Sequence, residues 1–499
     1  MENRPYGPSE AGRSLVAEAS GPRRRWPRRL LTAVTAVLLA GAAAAVVLLL
    51  LLPSSSHGPR RARPPAAGAQ AQAQAQALTA VTSGRPAAPH EVTALIGRQE
   101  SRVRARPRDA RAWAVLGAAY VERGRGTADV ADYPRAERAL RTSLRLAGGK
   151  DAAVLDGLAA LANARRDFPA AKRYGEQALK LAPKRWTAYP PLLDAYTGLG
   201  DYKAARQTLD KLLALRPAAA ARPAVMARAS AVYRDQGWRE DAVAQLTEAA
   251  AAAGTPAEQA AYLAGVGQLA WERGDREDAL RHFGAAVRLD PGRRTAWAGQ
   301  GRALAALGRT ARALSAYQRA QEKHPSPDVT LELGELYQSL GRDGAARGQY
   351  EQLRDQIRQA VAAGVDEELL TGRFEADHGR AREAVTRLRA EWRRQPGIEV
   401  ADALGWALHM SGADEEALTY ASAATDKAKG GGVRSALYAF HRGMIEKDLG
   451  LTAPARRHLQ EALRISPYFS PLRVPAARAA LRGLGDVPDE PLPPASRKP

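Results

Sequence analysis

The feature that most constrains this chain is a repeated spacing of small, apolar and proline residues. In the clearest units a glycine is followed after five residues by alanine, after nine by an apolar residue and after seventeen by proline. Such units begin at Gly200, Gly274 and Gly308, and the last two are 34 residues apart. A period of this length predicts helical hairpins that stack on one another, because a single hairpin cannot bury its apolar face alone.

The composition favours an all-α chain. Alanine, leucine and arginine are abundant, and only 6% of the residues are aromatic. The long β-branched runs typical of strands are absent. The chain contains no cysteine, which excludes disulfides, thiolate zinc sites and a cysteine nucleophile.

The residues within the units resemble the tetratricopeptide-repeat family. Its pattern places Trp, Leu, Gly and Tyr on a first helix and Ala, Phe and Ala on a second helix, closed by Pro. The first unit carries Trp113, Leu116, Gly117 and Tyr120 in this order. The resemblance implies a right-handed α–α superhelical solenoid of about ten helix pairs over residues 90–485, ending in a capping helix.

Ten units can be traced by one alanine in the second helix of each. These alanines are Ala136, Ala171, Ala205, Ala242, Ala279, Ala313, Ala346, Ala384, Ala417 and Ala455. We expect small residues such as Gly267 and Ala279 to lie where two helices come closest. The larger Phe283 and Tyr317 are expected to fill the space between neighbouring hairpins.

A membrane span is predicted before the repeats. Residues Leu30–Leu52 form an uncharged run of 23 residues, long enough for a helix of about 35 Å. The basic cluster RRRWPRR before it predicts that residues 1–29 are a basic cytoplasmic tail and that the rest of the chain lies outside. A cleaved signal peptide is the alternative, but its apolar region would be shorter, and the first Ala-x-Ala site, at residues 69–71, lies far downstream.

Two further segments are predicted to be disordered. Residues 53–89 combine a Pro-Ser-Arg-rich stretch with the low-complexity run AAGAQAQAQAQA, and residues 486–499 are rich in proline. Neither composition can bury a core. We therefore expect residues 53–89 to form a flexible linker between the membrane and the solenoid.

The net charge of +21 does not by itself indicate a nucleic-acid partner. Within residues 90–485 basic and acidic residues are interspersed, as on a solvated helical surface. We therefore expect no nucleic acid as partner. Binding of an anionic polymer is retained as an alternative, which retention on an anionic resin at high salt would favour.

The sequence contains no recognisable catalytic or cofactor-binding motif. Phosphate-binding loops, a nucleophile elbow and a dinucleotide fingerprint are absent from it. His378, His409 and His441, spaced by 31 and 32 residues, suggest a metal ladder, but they occupy different positions in their repeats. We expect no enzymatic activity, no metal and no cofactor.

The resemblance implies that partners bind in a concave groove lined by the first helices. Family members that clamp carboxylates use Lys and Asn at fixed groove positions, where this chain has Asp194, Gln268, Arg302 and Glu335. That docking mode is therefore not expected.

An aromatic and methionine cluster in the last two units is the predicted partner site. It consists of the first-helix residues Trp406, His409, Met410, Phe440, His441 and Met444. Facing the groove, these side chains would anchor an apolar peptide. The alternative is that they pack between first helices near the C-terminal cap.

These observations predict a non-catalytic scaffold that binds proteins or peptides outside a bacterial cytoplasmic membrane, to which Leu30–Leu52 anchors it. Two other functions are retained as alternatives. One is an envelope sensor that reports through the tail at residues 1–29, and the other is the anionic-polymer module.

Overall fold

A computed structural model describes residues 67–426 and 432–485 of the chain. Within these two ranges the chain forms 23 α-helices and two short 3₁₀ helices, and it contains no strand. The all-α prediction is therefore confirmed for the described part.

Two helices precede the repeats: α1 (Ala67–Thr82) and α2 (Pro89–Ala105). The first five hairpins are α3 (Ala110–Thr127) with α4 (Asp132–Leu146), α5 (Ala152–Ala164) with α6 (Phe168–Leu181), α7 (Tyr189–Gly198) with α8 (Tyr202–Ala214), α9 (Arg222–Asp235) with α10 (Arg239–Ala251), and α11 (Pro256–Glu272) with α12 (Arg276–Leu289). The last five are α13 (Arg294–Ala306) with α14 (Thr310–Gln321), α15 (Pro327–Ser339) with α16 (Asp343–Ala362), α17 (Glu368–Asp377) with α18 (Ala381–Arg394), α19 (Ile398–Met410) with α20 (Asp414–Thr425), and α21 (Ala436–Asp448) with α22 (Thr452–Ile465). The final helix, α23 (Arg473–Gly483), packs on α22 and α21.

The ten predicted units correspond to these ten hairpins. Each of the ten alanines used to trace the units lies in a second helix and is buried. The turn of the fifth hairpin shows how sequence produces the geometry: Gly274 has a φ of 84°, a conformation that glycine adopts readily. Phe283 is buried and its ring lies against Gly267 and Gly299, so it fills the space between two hairpins as predicted.

The structure corrects part of the predicted linker. Residues 67–82 form helix α1, although the Ala-Gln run was expected to be disordered. Alanine and glutamine are both strong helix formers, and Ala77, Ala80 and Val81 are buried where α1 packs against α2 and α3. A low-complexity composition therefore did not prevent folding, because neighbouring helices cover one side of α1.

Segments that are far apart in sequence, by 195 to 227 residues in their hydrogen-bonded contacts, meet along a line that we call the seam. On one side are the turns and helix starts of the second to fifth hairpins, and on the other are the connections between later hairpins. The main-chain Asp366 N donates to Arg165 O (2.8 Å), Phe168 N to Gln395 Oε1 (3.0 Å), Ile398 N to the Tyr202 hydroxyl (3.4 Å) and Gly432 N to Asp235 O (2.8 Å). Further along, Arg239 donates to Arg434 O (2.6 Å), and the Arg276 guanidinium lies 4.1 Å from the Tyr468 ring centroid. Successive turns of the solenoid thus contact each other.

The predicted membrane span, Leu30–Leu52, lies outside the described residues. In the part of the chain that the structure describes, no helix is both long and apolar enough to cross a bilayer.

Candidate binding surface on the inner face

We call the face formed by the first helices of the hairpins the inner face, which the repeat pattern assigns to the groove. Four of its positions were named from the sequence. Asp194 forms an ion pair with Arg228 of the next hairpin (2.7 Å). Gln268 and Arg302 contact each other directly, since Arg302 Nη1 donates to Gln268 Oε1 at 2.8 Å. Asp194, Gln268 and Arg302 therefore form polar links between neighbouring first helices.

The links continue into a polar ladder across the fourth and fifth hairpins. Arg234 on α9 donates two hydrogen bonds to the carboxylate of Glu272 on α11, at 2.8 and 2.9 Å. Gln268 donates to the same carboxylate at 3.0 Å. Burial alone would raise the pKa of Glu272, but the charge and hydrogen bonds of Arg234, together with Gln268, outweigh it and lower that pKa.

The ladder extends through Arg302 to the seventh hairpin. Arg302 on α13 donates to both carboxylate oxygens of Glu332 on α15, at 2.7 and 3.2 Å, and the Tyr317 hydroxyl donates to Glu332 at 3.0 Å. Burial, followed by the negative charge of Glu332, raises the pKa of Tyr317 well above its usual value. Because these groups satisfy one another, the ladder holds the first helices in register and leaves few free groups there for a partner.

Beyond the ladder lies an acidic side chain without such a partner. Glu335 forms no ion pair or hydrogen bond with any described residue. Burial, together with the negative charge of nearby Asp377, raises the pKa of Glu335 to about 8. Asp377 itself is engaged, because it pairs with Arg473 and accepts a hydrogen bond from Trp406 Nε1 at 2.8 Å.

Arg373 and Glu399 are two further inner-face groups without ion pairs among the described residues. They influence each other at longer range, since the charge of Glu399 raises the pKa of Arg373 against the opposing effect of burial. Glu399 is exposed to solvent, yet its charge also contributes to the raised pKa values of Tyr202 and Arg234, which belong to hairpins one turn earlier. Glu399 therefore lies close enough to the earlier turn for its charge to act there.

The structure corrects the predicted apolar anchor. Trp406 is 5% exposed, Phe440 1% and His441 6%, so none of the three presents a surface to a partner. The His441 ring stacks on Trp406 with centroids 4.2 Å apart, and its Nδ1 lies 3.0 Å from Asp402 Oδ1. The packing alternative accounts for these three residues, because the register that points them inward also places them between first helices.

The other three residues of the predicted anchor lie nearer the surface. His409 Nδ1 is 2.6 Å from Asp414 Oδ1 and its ring lies beside Trp406. Met444 is half-buried and packs against the apolar cluster that contains Trp406 and Phe440. Met410, 44% exposed, is the one large apolar side chain of the six that solvent reaches freely.

The histidines at near-regular spacing have unlike surroundings. His378 lies between Tyr350 and Phe374, with ring centroids 4.4 and 4.5 Å away, and burial lowers its pKa. His409 and His441 each face a different aspartate. Within residues 67–426 and 432–485, no cluster of three or more histidine and acidic side chains has a metal-binding arrangement.

Sequence reasoning did not single out Arg373 or Glu399. A signal for Arg373 was present, since it follows Gly372 in the same register in which Arg302 follows Gly301. Glu399 carries no such signal, because Tyr202 and Arg234, on which its charge also acts, belong to hairpins one turn away.

Comparisons with known proteins agree with the repeat assignment. A family model described as "Tetratricopeptide repeat" matches residues 267–328 and 305–361, and a second model of the same description matches residues 192–218. No curated protein shows significant similarity to the chain.

Several solved structures resemble the helical array at low sequence identity. The human IFIT1 dimer with PPP-AAAA is 18% identical, covers 63% of this chain and 72% of its own, and has a TM-score of 0.43. The Cut9 and Hcn1 hetero-tetramer of APC/C is 15% identical, with coverage of 74% and 76% and a TM-score of 0.38. PilF of Pseudomonas aeruginosa is 20% identical, with coverage of 41% and 90% and a TM-score of 0.33. All three TM-scores lie below 0.5, so none of these likenesses indicates a function.

Proposed function

Because this chain belongs to the tetratricopeptide-repeat family, we propose that it is a non-catalytic scaffold that binds proteins or peptides along its inner face. The observation that carries the proposal is the contrast between two parts of that face. From Arg234 to Glu332 the polar groups are paired with one another. Around Glu335, Arg373 and Glu399 they have no ion-pair partners among the described residues.

These free groups suit a peptide with its own polar and charged atoms. Arg373 can donate to a carboxylate or carbonyl oxygen, and Glu399 can accept from an amide or a cationic side chain. Glu335, with its pKa of about 8, can donate as the neutral acid or ionise when a cation binds near it. A site that offers both donors and acceptors favours a segment of polypeptide over a purely anionic or purely apolar ligand.

The proposal includes a location. Leu30–Leu52 would anchor the scaffold in a bacterial cytoplasmic membrane, with residues 1–29 inside and the hairpins outside. The support is the apolar length and the preceding basic cluster.

The experiment is affinity purification from native membranes with the full-length chain as bait. The inner-face variant Glu335→Gln/Glu399→Gln keeps the size of both side chains, removes the charge of Glu399 and prevents Glu335 from ionising when a cation binds near it. We expect it to lose the proteins that the unmodified chain captures. The matched control is Glu351→Gln/Glu383→Gln, which removes two exposed acids on second helices.

The comparison between the two variants decides the result. Equal capture by the inner-face variant and the control would show that partners do not use this part of the inner face. Capture of no protein above background by the unmodified chain would count against a scaffold altogether.

A further inference from the structure

An open groove lies on the second-helix side of the fifth and sixth hairpins. Its walls are α12 and α14, its floor is α13, and its volume is about 980 Å³. None of the inner-face residues described above lines it. The groove is therefore separate from the proposed inner-face site.

The floor of the groove is largely apolar, since Trp297 is half-buried and Leu304 is buried there, with Gln300 as its polar residue. Leu280 on the α12 wall is half-buried and adds to the apolar lining. Gly284 leaves an opening in the α12 wall because it has no side chain. In the third, sixth and seventh hairpins the corresponding position, ten residues after the turn glycine, holds a larger residue: Asp210, Gln318 and Glu351.

Both walls of the groove carry a pair of arginines, and the two arginines of each pair are separated by the same number of residues. Arg281 and Arg288 are seven residues apart on α12, and Arg312 and Arg319 are seven residues apart on α14. Seven residues span roughly 10 Å along a helix, or two turns. Each wall therefore presents guanidinium groups with the two-turn period of an α-helix.

Most of this positive charge is not neutralised. Arg281 pairs with Asp278 (2.7 Å) and Arg319 with Glu322 (3.1 Å), and all of these side chains are at least partly exposed. Arg288 and Arg312, together with Arg309 at the end of the groove, form no ion pair with any described residue. Glu322 is the sole acid among the residues that line the groove.

We infer that this groove binds an acidic amphipathic helix of a partner protein. The apolar floor would receive a stripe of apolar side chains, and the arginines on each wall would pair with carboxylates one or two turns apart. The α14 wall, from Arg309 to Glu322, is roughly 20 Å long and matches a helical segment of about 14 residues. A single phosphate or nucleotide would engage only one end of this arrangement.

The test uses a fluorescent peptide of about 14 residues with a leucine stripe flanked by glutamates, titrated with the full-length chain and followed by anisotropy. A scrambled peptide of the same composition lacks the stripe and is expected to bind at least about tenfold more weakly. The variant Arg288→Glu/Arg312→Glu is expected to weaken binding of the striped peptide by about tenfold or more. The matched control, Arg138→Glu/Arg457→Glu, makes the same charge change on exposed arginines of α4 and α22 and is expected to change binding by less than about twofold.

A second pair of variants tests the groove without changing charge. Gly284→Gln fills the opening in the α12 wall, where an added Cβ would meet its nearest neighbours, Arg288 and Gln300, at an ordinary 3.6 Å. We expect this variant to bind the striped peptide at least about fivefold more weakly while retaining its helical content. Gly348→Gln, on an exposed helical glycine with nothing within 4 Å of an added Cβ, is the control.

Three results would overturn the inference. They are equal binding of the striped and scrambled peptides, equal effects of the groove and control variants, and binding of a single-stranded oligonucleotide as tight as that of the striped peptide with the same response to the variants. The last result would identify a polyanion site instead. None of them bears on the inner face, because its variants and partners are measured separately.

Discussion

At the scale of single residues, Trp406 is held by contacts on several sides. Its indole donates to Asp377, its ring stacks on His441, and Phe440 lies 5.8 Å away between ring centroids. A first-helix register that points a large aromatic side chain inward also brings it against the neighbouring first helix. The size of the side chain and its neighbours on the next first helix therefore decide whether it lines the groove or is buried. Its position in the repeat does not decide this.

We predict that Trp406→Ala destabilises the C-terminal hairpins by about 3–5 kcal/mol, because it removes a buried aromatic side chain and leaves a cavity. The measurement is urea unfolding followed by circular dichroism. Met410→Ala, at the exposed edge of the same cluster, should cost less than about 0.5 kcal/mol. Similar losses for both would contradict the buried placement of Trp406.

Glu335 gives a prediction about pH. Its pKa is raised from 4.5 in the unfolded chain to about 8 in the folded chain, so the folded state binds this proton more tightly. The stability that the proton contributes is complete below pH 4.5 and is lost as the pH rises through about 8. Glu335→Gln stays neutral, so its melting temperature should fall less than that of the unmodified chain between about pH 6 and about pH 9.

Glu351→Gln, an exposed acid on α16, serves as the control for that titration. It should keep the pH dependence of the unmodified chain. If Glu335→Gln also keeps it, the Glu335 carboxyl is ionised throughout that range.

At the scale of elements, helix α1 is attached to the repeat array through the residues that follow it in sequence. Arg85 donates to both oxygens of the buried Glu258 carboxylate, at 3.0 and 2.9 Å. The Tyr262 hydroxyl and the Gly254 main-chain amide donate to the same carboxylate at 2.9 and 3.0 Å. This network links the segment after α1 to the start of α11.

We predict that Arg85→Ala releases this N-terminal segment. The substitution leaves the Glu258 carboxylate buried without its cation, which typically costs about 3–5 kcal/mol. Hydrogen exchange of the amides in α1 should become faster, while Arg104→Ala, an exposed arginine on α2, should leave it unchanged. Unchanged exchange in Arg85→Ala would show that α1 is held by its apolar contacts alone.

At the scale of the whole repeat array, the seam depends on close approach of main chains. Gly200 and Gly237 are turn glycines at which an added Cβ would run into Pro396 and Gly432 of the next turn. The turn glycines Gly308 and Gly341 have similar positive φ values, but nothing lies within 4 Å of an added Cβ. Turn glycines with the same backbone conformation therefore occur both with and without a contact from the next turn.

We predict that Gly200→Ala/Gly237→Ala opens the seam and that Gly308→Ala/Gly341→Ala does not. Both doubles carry the same positive-φ strain, of order 1 kcal/mol for each alanine, so only the clash differs. Since the chain lacks cysteine, spin labels can be placed at introduced cysteines on either side of the seam, at exposed positions such as 203 and 393. Pulsed electron paramagnetic resonance should show a longer distance in the first double only, and equal distances would contradict the seam.

The proposed membrane anchor gives a prediction for the full chain. In intact spheroplasts, a protease should remove a tag placed after Pro499 and spare a tag placed before Met1, because Leu30–Leu52 would separate them. Deletion of residues 30–52 should release the chain from membranes. Loss of the N-terminal tag by processing would support a signal peptide, and digestion of the N-terminal tag alone would reverse the orientation.

Local pattern was sufficient to predict the hairpins. The ten alanines, the turn glycine Gly274 and the interhairpin ring of Phe283 all lie where the period placed them, because each acts on a neighbour in its own hairpin or the next one. The absence of β-branched runs and the helix-forming composition were sufficient to predict the all-α class. Helix α1 was missed because a low-complexity composition was given more weight than the helix propensity of its alanines and glutamines.

Other features became visible only in the tertiary structure, because they join residues that no short-range pattern relates. The pitch of the array brings Tyr202 to Ile398 and places Glu399 near Arg234. Packing buries Trp406 and Phe440, and the absence of a side chain at Gly284 opens a groove between two arginine-bearing helices. The sequence by itself determined which helices form and how each pairs with its neighbour. The tertiary structure decided which faces remain open, since that depends on contacts between segments up to 227 residues apart.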